Sequence, residues 1–261
     1  MVAIRAGTAI PRRQSGVDEV LNPGLLAVSE KILPRFVLAR LDPFRAAIEA
    51  EIASAASQTG DGEIVLDAGA GEARSRKYFS RGRYLALDRG HGDASWDYSN
   101  LDVRGDLEDM PLRSGSVDRI ICIVVLEHTR DPKRVLGEFA RIMKPGARLH
   151  LVVPFLWEEH QQPYDYHRFT RYGIRLAFES LPFEVEFVHP MGGFFHVFAR
   201  RCVGLLGFFQ GGWRWPLFVL LAPFFGLIFP LLFYFLDRLD VRQAYTLGYH
   251  VRARRLPLES V

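Results

Sequence analysis

From residue 63 to residue 155, short apolar runs end in polar or glycine turns and alternate with amphipathic stretches. "EIVLDAG", "RYLALD", "DRIICIVVLE" and "ARLHLVVPF" read as strands, the third so continuously apolar that both faces should be covered. Between them, "EARSRKYF" predicts a short helix. Residues 89–101, with Gly90, Gly92, Asp93, Ser95 and Asn100, predict a loop, and "DVRGDL" predicts a brief third strand. Asp131-Pro132 opens a helix whose face is Val135, Leu136, Phe139, Ile142 and Met143, and "KPG" closes it. "TRYGIRLAFESL" predicts a further helix and "FEVEFVH" a sixth strand. "TLGYHVRAR" puts Leu247, Tyr249, Val251 and Ala253 on one face and Gly248, His250, Arg252 and Arg254 on the other, a period-two strand signal. The order predicts a doubly wound, Rossmann-like α/β sheet with helices on both faces.

Ahead of this region, residues 1–20 read as an arm with Arg5, Arg12, Arg13, Asp18 and Glu19 and no apolar core stretch, unlike a secretory signal. A helical pattern through Leu25, Leu26, Val28, Ile32 and Leu33 breaks near Pro34. Asp42 and Pro43 then supply a cap and a first helical position for "FRAAIEAEIASAAS", which "TGDG" ends.

Near the other end, "WPLFVLLAPFFGLIFPLLFYFL" (215–236) has no charged residue. As a helix it would be roughly 33 Å long, enough to cross a bilayer. Pro216, Pro223 and Pro230 recur every seven residues, which predicts kinked or re-entrant segments. "CVGLLGFF" reads as a second arm and "QGGW" as the turn. Arg200, Arg201 and Arg214 precede the run, Arg238 and Arg242 follow it, and Trp213 and Trp215 sit at its mouth, as expected at the cytoplasmic boundary of a membrane. A helical hairpin dipping into the inner leaflet is the expectation; a two-crossing hairpin, a dimer interface and an enlarged core are the alternatives. The chain thus divides into an N-terminal arm and helices (1–58), a core (59–190), an apolar insertion (191–244) and a final strand with tail (245–261).

Composition changes this picture little. Charged residues are 24% of the chain and the formal net charge is +3, which does not argue for a nucleic-acid partner. The two cysteines, Cys122 and Cys202, suggest a reducing compartment. The chemistry lies in the turn after the first strand. Glycine at Gly69 and Gly71 permits positive φ and close approach of a ligand. A dinucleotide site needs a small residue three positions after Gly71 and an N-terminus that welcomes phosphate; here stand Arg74 and, nearby, the carboxylates of Asp67 and Glu72. Those carboxylates suit a cation such as the sulfonium and ammonium of S-adenosylmethionine. Asp88, ending the second strand, is placed to bridge ribose hydroxyls. Asp106 is placed to accept from an adenine amino group, with Leu107 packing on the ring.

"VLDAGAGEAR", "YLALD" and "GDLEDMPLRSGSVDRIICIVVLEHTRDPKRVLGEFARIMKPGARLHLVVPF" together resemble class I S-adenosylmethionine-dependent methyltransferases of the type 11 methyltransferase-domain group. The resemblance implies a seven-stranded sheet whose last strand is antiparallel, with the apolar insertion between strands six and seven. It also implies that Asp67, Gly69 and Gly71 line the methionine end, Asp88 the ribose and Asp106 the adenine, with Glu127 at the methyl-transfer site. Ala73 departs from the pattern where many members carry a third glycine. "WEEHQQPYDYHRFTRYG" and "WDYSNLDVRGDLEDMP" resemble a bacterial subgroup associated with envelope polysaccharide or glycolipid synthesis.

Ligands of such sheets bind beyond the carboxyl ends of the strands, so the loop after the fifth strand should meet the acceptor. His160 and His128 are the candidate bases, Asp165 could orient a histidine or take the proton, and Tyr164 and Arg168 could hold the acceptor. Alternatively, Asp165 and Arg168 pair with each other, and a metal role for His160, Asp165 and His167 is disfavoured by spacing. The expected activity is O-methylation of a glycan or lipid-linked acceptor at the cytoplasmic face of a membrane, with the lipid surface itself as a partner. A quinone-type acceptor, a non-catalytic membrane-bound scaffold and an NAD-dependent oxidoreductase are the competing readings.

Overall fold

The computed structural model describes residues 32–92 and 95–257. The arm at 1–20, most of the first helical stretch and the last four residues of the tail lie outside them. Seven strands form one sheet in the order β3-β2-β1-β4-β5-β7-β6. They are β1 (Ile64–Ala68), β2 (Arg83–Asp88), β3 (Val103–Arg104), β4 (Val117–Ile123), β5 (Met143–Pro154), β6 (Phe183–Pro190) and β7 (Gly248–Arg255). β7 runs antiparallel to both β5 and β6; the other pairings are parallel. The last strand is therefore antiparallel as expected, and it is inserted between β5 and β6.

Helices start where the local chemistry supplies a cap. After α1 (Arg35–Leu41), the Asp42 side chain accepts from the Arg45 N–H to open α2 (Pro43–Ser57). Asp131 does the same for α3 (Pro132–Ile142), with Pro132 in the first turn, and Thr170 for α4 (Arg171–Phe178). On α3, Val135, Leu136, Phe139 and Ile142 are fully buried against Ile120, Cys122, Leu149 and Leu151. Each such large side chain contributes roughly 1.5–3 kcal/mol by leaving water. On the other face, Phe44 of α2 packs with Val152 and Trp157, and Ala55 with Tyr84, Ala86 and Ile121.

Glu51 fastens α2 to this second face. Arg252 of β7 donates to it twice, at 2.8 and 3.0 Å. His150 of β5 bonds it through Nδ1, and His250 Nε2 lies 2.9 Å away. The other nitrogen of His150 is 2.9 Å from Arg119 Nη1, whose Nη2 donates to the Gln58 carbonyl. Arginine can only donate, so His150 Nε2 accepts and its proton sits on Nδ1, facing Glu51.

Four boundaries differ from the pattern reading. "EARSRKYF" is only a 3-10 turn, Arg74–Tyr78, because the left-handed Ala73 (φ 58°) precedes it. The third strand is two residues long. β4 stops at Ile123, since Val124 turns left-handed (φ 56°), and Leu126–His128 form a 3-10 turn. "KPG" falls within β5 instead of behind the helix, with Gly146 at φ 82°.

The insertion is a helical hairpin. Its first arm, α5 (Phe194–Leu206), begins eight residues earlier than "CVGLLGFF" suggested. Its second arm, α6 (Gly212–Leu239), is one helix of 28 residues, long and apolar enough by length and composition to cross a membrane. The prolines do not break α6. Pro216 lies near its start; Pro223 and Pro230 lie inside it, and between them the backbone widens into a π segment, Phe224–Ile228, where the Phe229 N–H bonds Phe224 O. The feet of the hairpin are tied together. Asp237 accepts from the N–H groups of Gly193 and His196, and Asp240 from that of Phe194, so the end of α6 caps the start of α5. Met191 N bonds Gly248 O at 2.9 Å, joining the ends of β6 and β7. Because β6 runs parallel to β5, the hairpin leaves and re-enters at the carboxyl edge of the sheet.

Candidate active site

Three acids stand at the carboxyl ends of three adjacent strands. β1 runs into a turn in which Gly69 (φ 80°), Gly71 (φ 54°) and Ala73 (φ 58°) are all left-handed. The turn is pinned to β2 by Gly69 N and Ala70 N, which donate to Leu87 O at 2.8 and 3.0 Å. A Cβ on Gly69 would overlap the Val125 side chain, and one on Gly71 would come 3.0 Å from the Trp96 ring. Asp88, at the end of β2, accepts from Gly71 N at 3.0 Å and from Gly90 N at 2.6 Å. Asp106, just beyond β3, accepts from Glu108 N at 3.0 Å, and Leu107 beside it is buried. Asp67 is buried beneath the turn and accepts from the Tyr84 hydroxyl. Burial pushes its pKa up to about 6, although the Tyr84 hydroxyl opposes the shift. Glu72 is committed elsewhere, to Arg74 and the Asp97 N–H, and does not join this ring of acids.

A second group gathers at the ends of β4 and β5. Glu127 is fully buried, and neither of its carboxylate oxygens has a hydrogen-bond partner. His160 Nε2 lies 3.5 Å and His128 Nε2 3.8 Å from Glu127 Oε1, and both nitrogens are themselves buried without partners. The two imidazoles meet edge to face, centroids 4.6 Å apart. Behind them, His128 Nδ1 is 3.1 Å from Tyr164 O, and His160 Nδ1 is 3.2 Å from Glu158 O and 3.4 Å from Asp165 Oδ2. Burial alone would lower the His160 pKa, but Asp165 and Glu127 hold it up at about 9. Burial pushes His128 down. Burial would raise Asp165, yet Arg168 and His160 hold it well below the usual carboxylate range.

The structure thus brings His128, His160 and Glu127 together and places Asp165 behind them. Arg168 spends its donors on both Asp165 oxygens, each at 2.6 Å, and on the carbonyls of His167 and Glu158, leaving none directed outward for an acceptor. That is the Asp165–Arg168 pairing the sequence offered as the alternative. Tyr164 holds His128 through its backbone carbonyl, while its ring is partly exposed.

Pattern reading passed over two features. Trp96, from the stretch read as loop, packs over Gly71; the tryptophan in a polar loop was the available signal. Trp157 and Glu158, at the start of the loop after β5, are held by the hairpin. The Arg200 guanidinium lies 3.4 Å from the Trp157 ring centroid and bonds Glu158, which Arg201 also reaches at 3.2 Å. No local spacing could reveal a contact across more than 40 residues.

A seven-stranded sheet of this order, with its last strand antiparallel and a glycine turn and an acid at each of its first three strand ends, has the α/β Rossmann-like methyltransferase fold. Comparison agrees: residues 66–151 match the family described as "Methyltransferase domain". The human thiol S-methyltransferase TMT1B is 40% identical over 58 residues, 22% of each chain. An uncharacterized methyltransferase of Mycobacterium sp. (strain KMS) is 30% identical over 138 residues, covering 47% of this chain and 55% of that one. The chain therefore spans about half, or less, of the length of these relatives. In fold, it is similar to a chain of the Haloferax volcanii complex between the Trm112 methyltransferase activator and a methyltransferase, with a TM-score of 0.52 at 18% identity, covering 85% of this chain and 95% of that one. It is also similar to the [4+2]-cyclase SpnF, with a TM-score of 0.50 at 16% identity and 81% of each chain covered.

Proposed function

We propose that this protein is an S-adenosylmethionine-dependent methyltransferase that works at the cytoplasmic face of a membrane, methylating an oxygen of a glycan or lipid-linked acceptor. The observation that carries the reading is a shared edge: the acid-lined glycine turn, the buried Glu127–His128–His160 group and the apolar hairpin all open at the carboxyl ends of the strands. When bound, the cofactor supplies a methyl group on a positively charged sulfur that leaves as a neutral thioether. Asp67 would hold the methionine end, Asp88 the ribose, and Asp106 with Leu107 the adenine. The left-handed glycines keep side chains out of that space. The acceptor hydroxyl would lose its proton to His128, which burial keeps neutral, or to Glu127; His160, held up at about 9, already carries its own proton at neutral pH. Holding the acceptor in line accounts for the largest share of the acceleration, roughly 7–11 kcal/mol for well-oriented reactants.

The membrane part of the reading rests on exposure. Leu217, Leu220, Phe224, Ile228, Leu232 and Phe235 form an outward stripe along α6, and Phe194 and Phe198 on the first arm and Phe208 in the turn after it are exposed as well. Covering such half-exposed side chains is worth on the order of 1 kcal/mol each. Trp213, 85% exposed, and Trp215 flank Arg214 at the hairpin tip and not at its mouth as the sequence suggested; a composition suited to the headgroup layer there favours a hairpin lying along the interface. The first arm, with its 13 helical residues, reaches roughly 20 Å and falls short of a bilayer core. The hairpin therefore lies in one leaflet. A quinone-type acceptor dissolved in the same leaflet is the second reading, favoured by the same stripe. SpnF, a cyclase, is a reminder that the fold does not by itself dictate methyl transfer.

The test combines calorimetry and fractionation. S-adenosylhomocysteine should bind with micromolar affinity, about 8 kcal/mol, and NAD should not. The chain should stay in the membrane pellet through high-salt and carbonate washes. Mass spectrometry of envelope glycans and lipids from a deletion strain should show species lighter by one methylene. Binding of NAD in place of S-adenosylhomocysteine would refute the cofactor assignment, and release by carbonate would refute the anchoring.

A further inference from the structure

The buried group at the end of β4 has more acceptor atoms than protons to share among them. Glu127 offers two carboxylate oxygens without a donor; His128 and His160 each turn an unpartnered Nε2 toward them. The side chains are 0%, 10% and 2% exposed, so water does not satisfy these atoms from outside. The far sides of both rings are already engaged. His128 Nδ1 faces Tyr164 O, and His160 Nδ1 faces Glu158 O at 3.2 Å and Asp165 Oδ2 at 3.4 Å, with Arg168 Nη2, itself bonded to Glu158 O and Asp165, also 3.4 Å away. Oxygens there call for the N–H at Nδ1; the lone pair of His128 Nε2 then points inward, and that of His160 does so once a bound cation takes the place of its Nε2 proton. Carbonyl or carboxylate behind a ligating imidazole is the arrangement that metal sites use to orient histidine.

We propose that Glu127, His128 and His160 form a binding site for one divalent transition-metal cation of the zinc type. The three ligand atoms lie within 4.8 Å of one another. Around a tetrahedral zinc with bonds of about 2.0–2.2 Å, ligand atoms sit roughly 3.3–3.6 Å apart, so small side-chain rotations complete the set. Two imidazoles and a carboxylate suit zinc and its neighbours better than magnesium or calcium, and three protein ligands leave a position open for an exogenous oxygen. The second cluster of this kind, Glu51, His150 and His250, is different: Glu51 is taken up by Arg252, and His150 is bonded through both nitrogens. This inference deepens the acceptor assignment above and relies on it only for the purpose of the site. With the cation in place, the three residues hold and polarise the acceptor oxygen instead of receiving its proton.

The experiment uses the full chain in detergent, stripped with a chelator and dialysed. It is titrated with zinc chloride and, separately, magnesium chloride by calorimetry, with metal content by elemental mass spectrometry and a visible spectrum after cobalt substitution. One equivalent of zinc should bind, magnesium should not displace it, and cobalt should give the intense visible bands of a low-coordinate nitrogen–oxygen site. Glu127→Gln and His160→Asn should each weaken zinc binding by at least about tenfold, while His250→Asn should not. Absence of stoichiometric zinc, retention in both variants, or loss in His250→Asn instead would overturn the proposal. If Glu127→Gln does not fold, the wild-type cobalt spectrum and His160→Asn still decide. S-adenosylhomocysteine binding by the stripped wild type separates the two readings: with it intact and zinc absent, only the metal site falls; without it, the methyltransferase assignment falls.

Discussion

Glu51→Gln tests the attachment of α2 to the sheet. In the native chain, Arg252 donates twice to the Glu51 carboxylate, which is 7% exposed, while the Arg252 side chain is 25% exposed. Glutamine keeps one oxygen for His150 but turns an NH2 toward a guanidinium, donor against donor. Removing one partner of a buried pair costs about 3–5 kcal/mol. Partial exposure of Arg252 and the retained carbonyl favour the low end, about 3 kcal/mol. For a chain of this size, that lowers Tm by about 6–12 °C. The pH dependence gives an independent check. Burial would raise the Glu51 pKa, but His150, His250 and Arg252 together hold it well below the ordinary value. A depressed carboxylate stabilises the fold above its unfolded pKa, about 4.3, and that contribution is lost as pH falls through the folded value. Thermal melts in detergent should therefore show the largest gap between wild type and variant at neutral pH, closing below about pH 4. A shift under 2 °C (about half a kcal/mol) at pH 7, or a gap that widens in acid, would refute the reasoning.

Other substitutions probe the cofactor turn and the hairpin. Ala73→Gly should raise stability by about 0.5–1 kcal/mol in urea melts, because an alanine at φ 58° pays a steric cost that glycine does not. Asp67, with its pKa pushed up to about 6, holds a proton in the folded state that the unfolded chain releases. Its effect on stability is therefore most favourable below about pH 4 and fades as pH rises to about 6. The same proton opposes a cationic ligand, so S-adenosylmethionine should bind more tightly as pH climbs from 5 to 7 in calorimetry, and Asp67→Asn should flatten that slope. Asp237→Ala removes acceptors from the N–H groups of Gly193 and His196; loss of this cap should cost about 1–2 kcal/mol and make α5 the first segment to exchange its amide hydrogens.

Periodicity alone carried most of the sheet, because strands buried on both faces must be apolar throughout and capped helices announce themselves at Asp42 and Asp131. It failed where a single backbone angle decides the outcome. Val124 and Ala73 are ordinary residues in a rare conformation, and nothing in their side chains signals the end of β4 or the shrinkage of the helix after β1. The acids at the strand ends could be named because they sit at fixed distances from the glycine turn. The closeness of Glu127 and His128 to His160 could not be seen, since it depends on how the loop after β5 folds back, and so does the fate of Arg168. The proline rhythm in the apolar run suggested breaks; one extra residue per turn in the π segment absorbs them.

The bond between Met191 and Gly248 has a consequence for how such a chain can vary. To the sheet, everything between those two residues is a single connection, however long. Closure entropy grows only with the logarithm of loop length, so this segment can be exchanged for a short turn, or lengthened, without disturbing the register of β6 and β7. The edge of the sheet is a socket, and the same core could be fitted with different attachments.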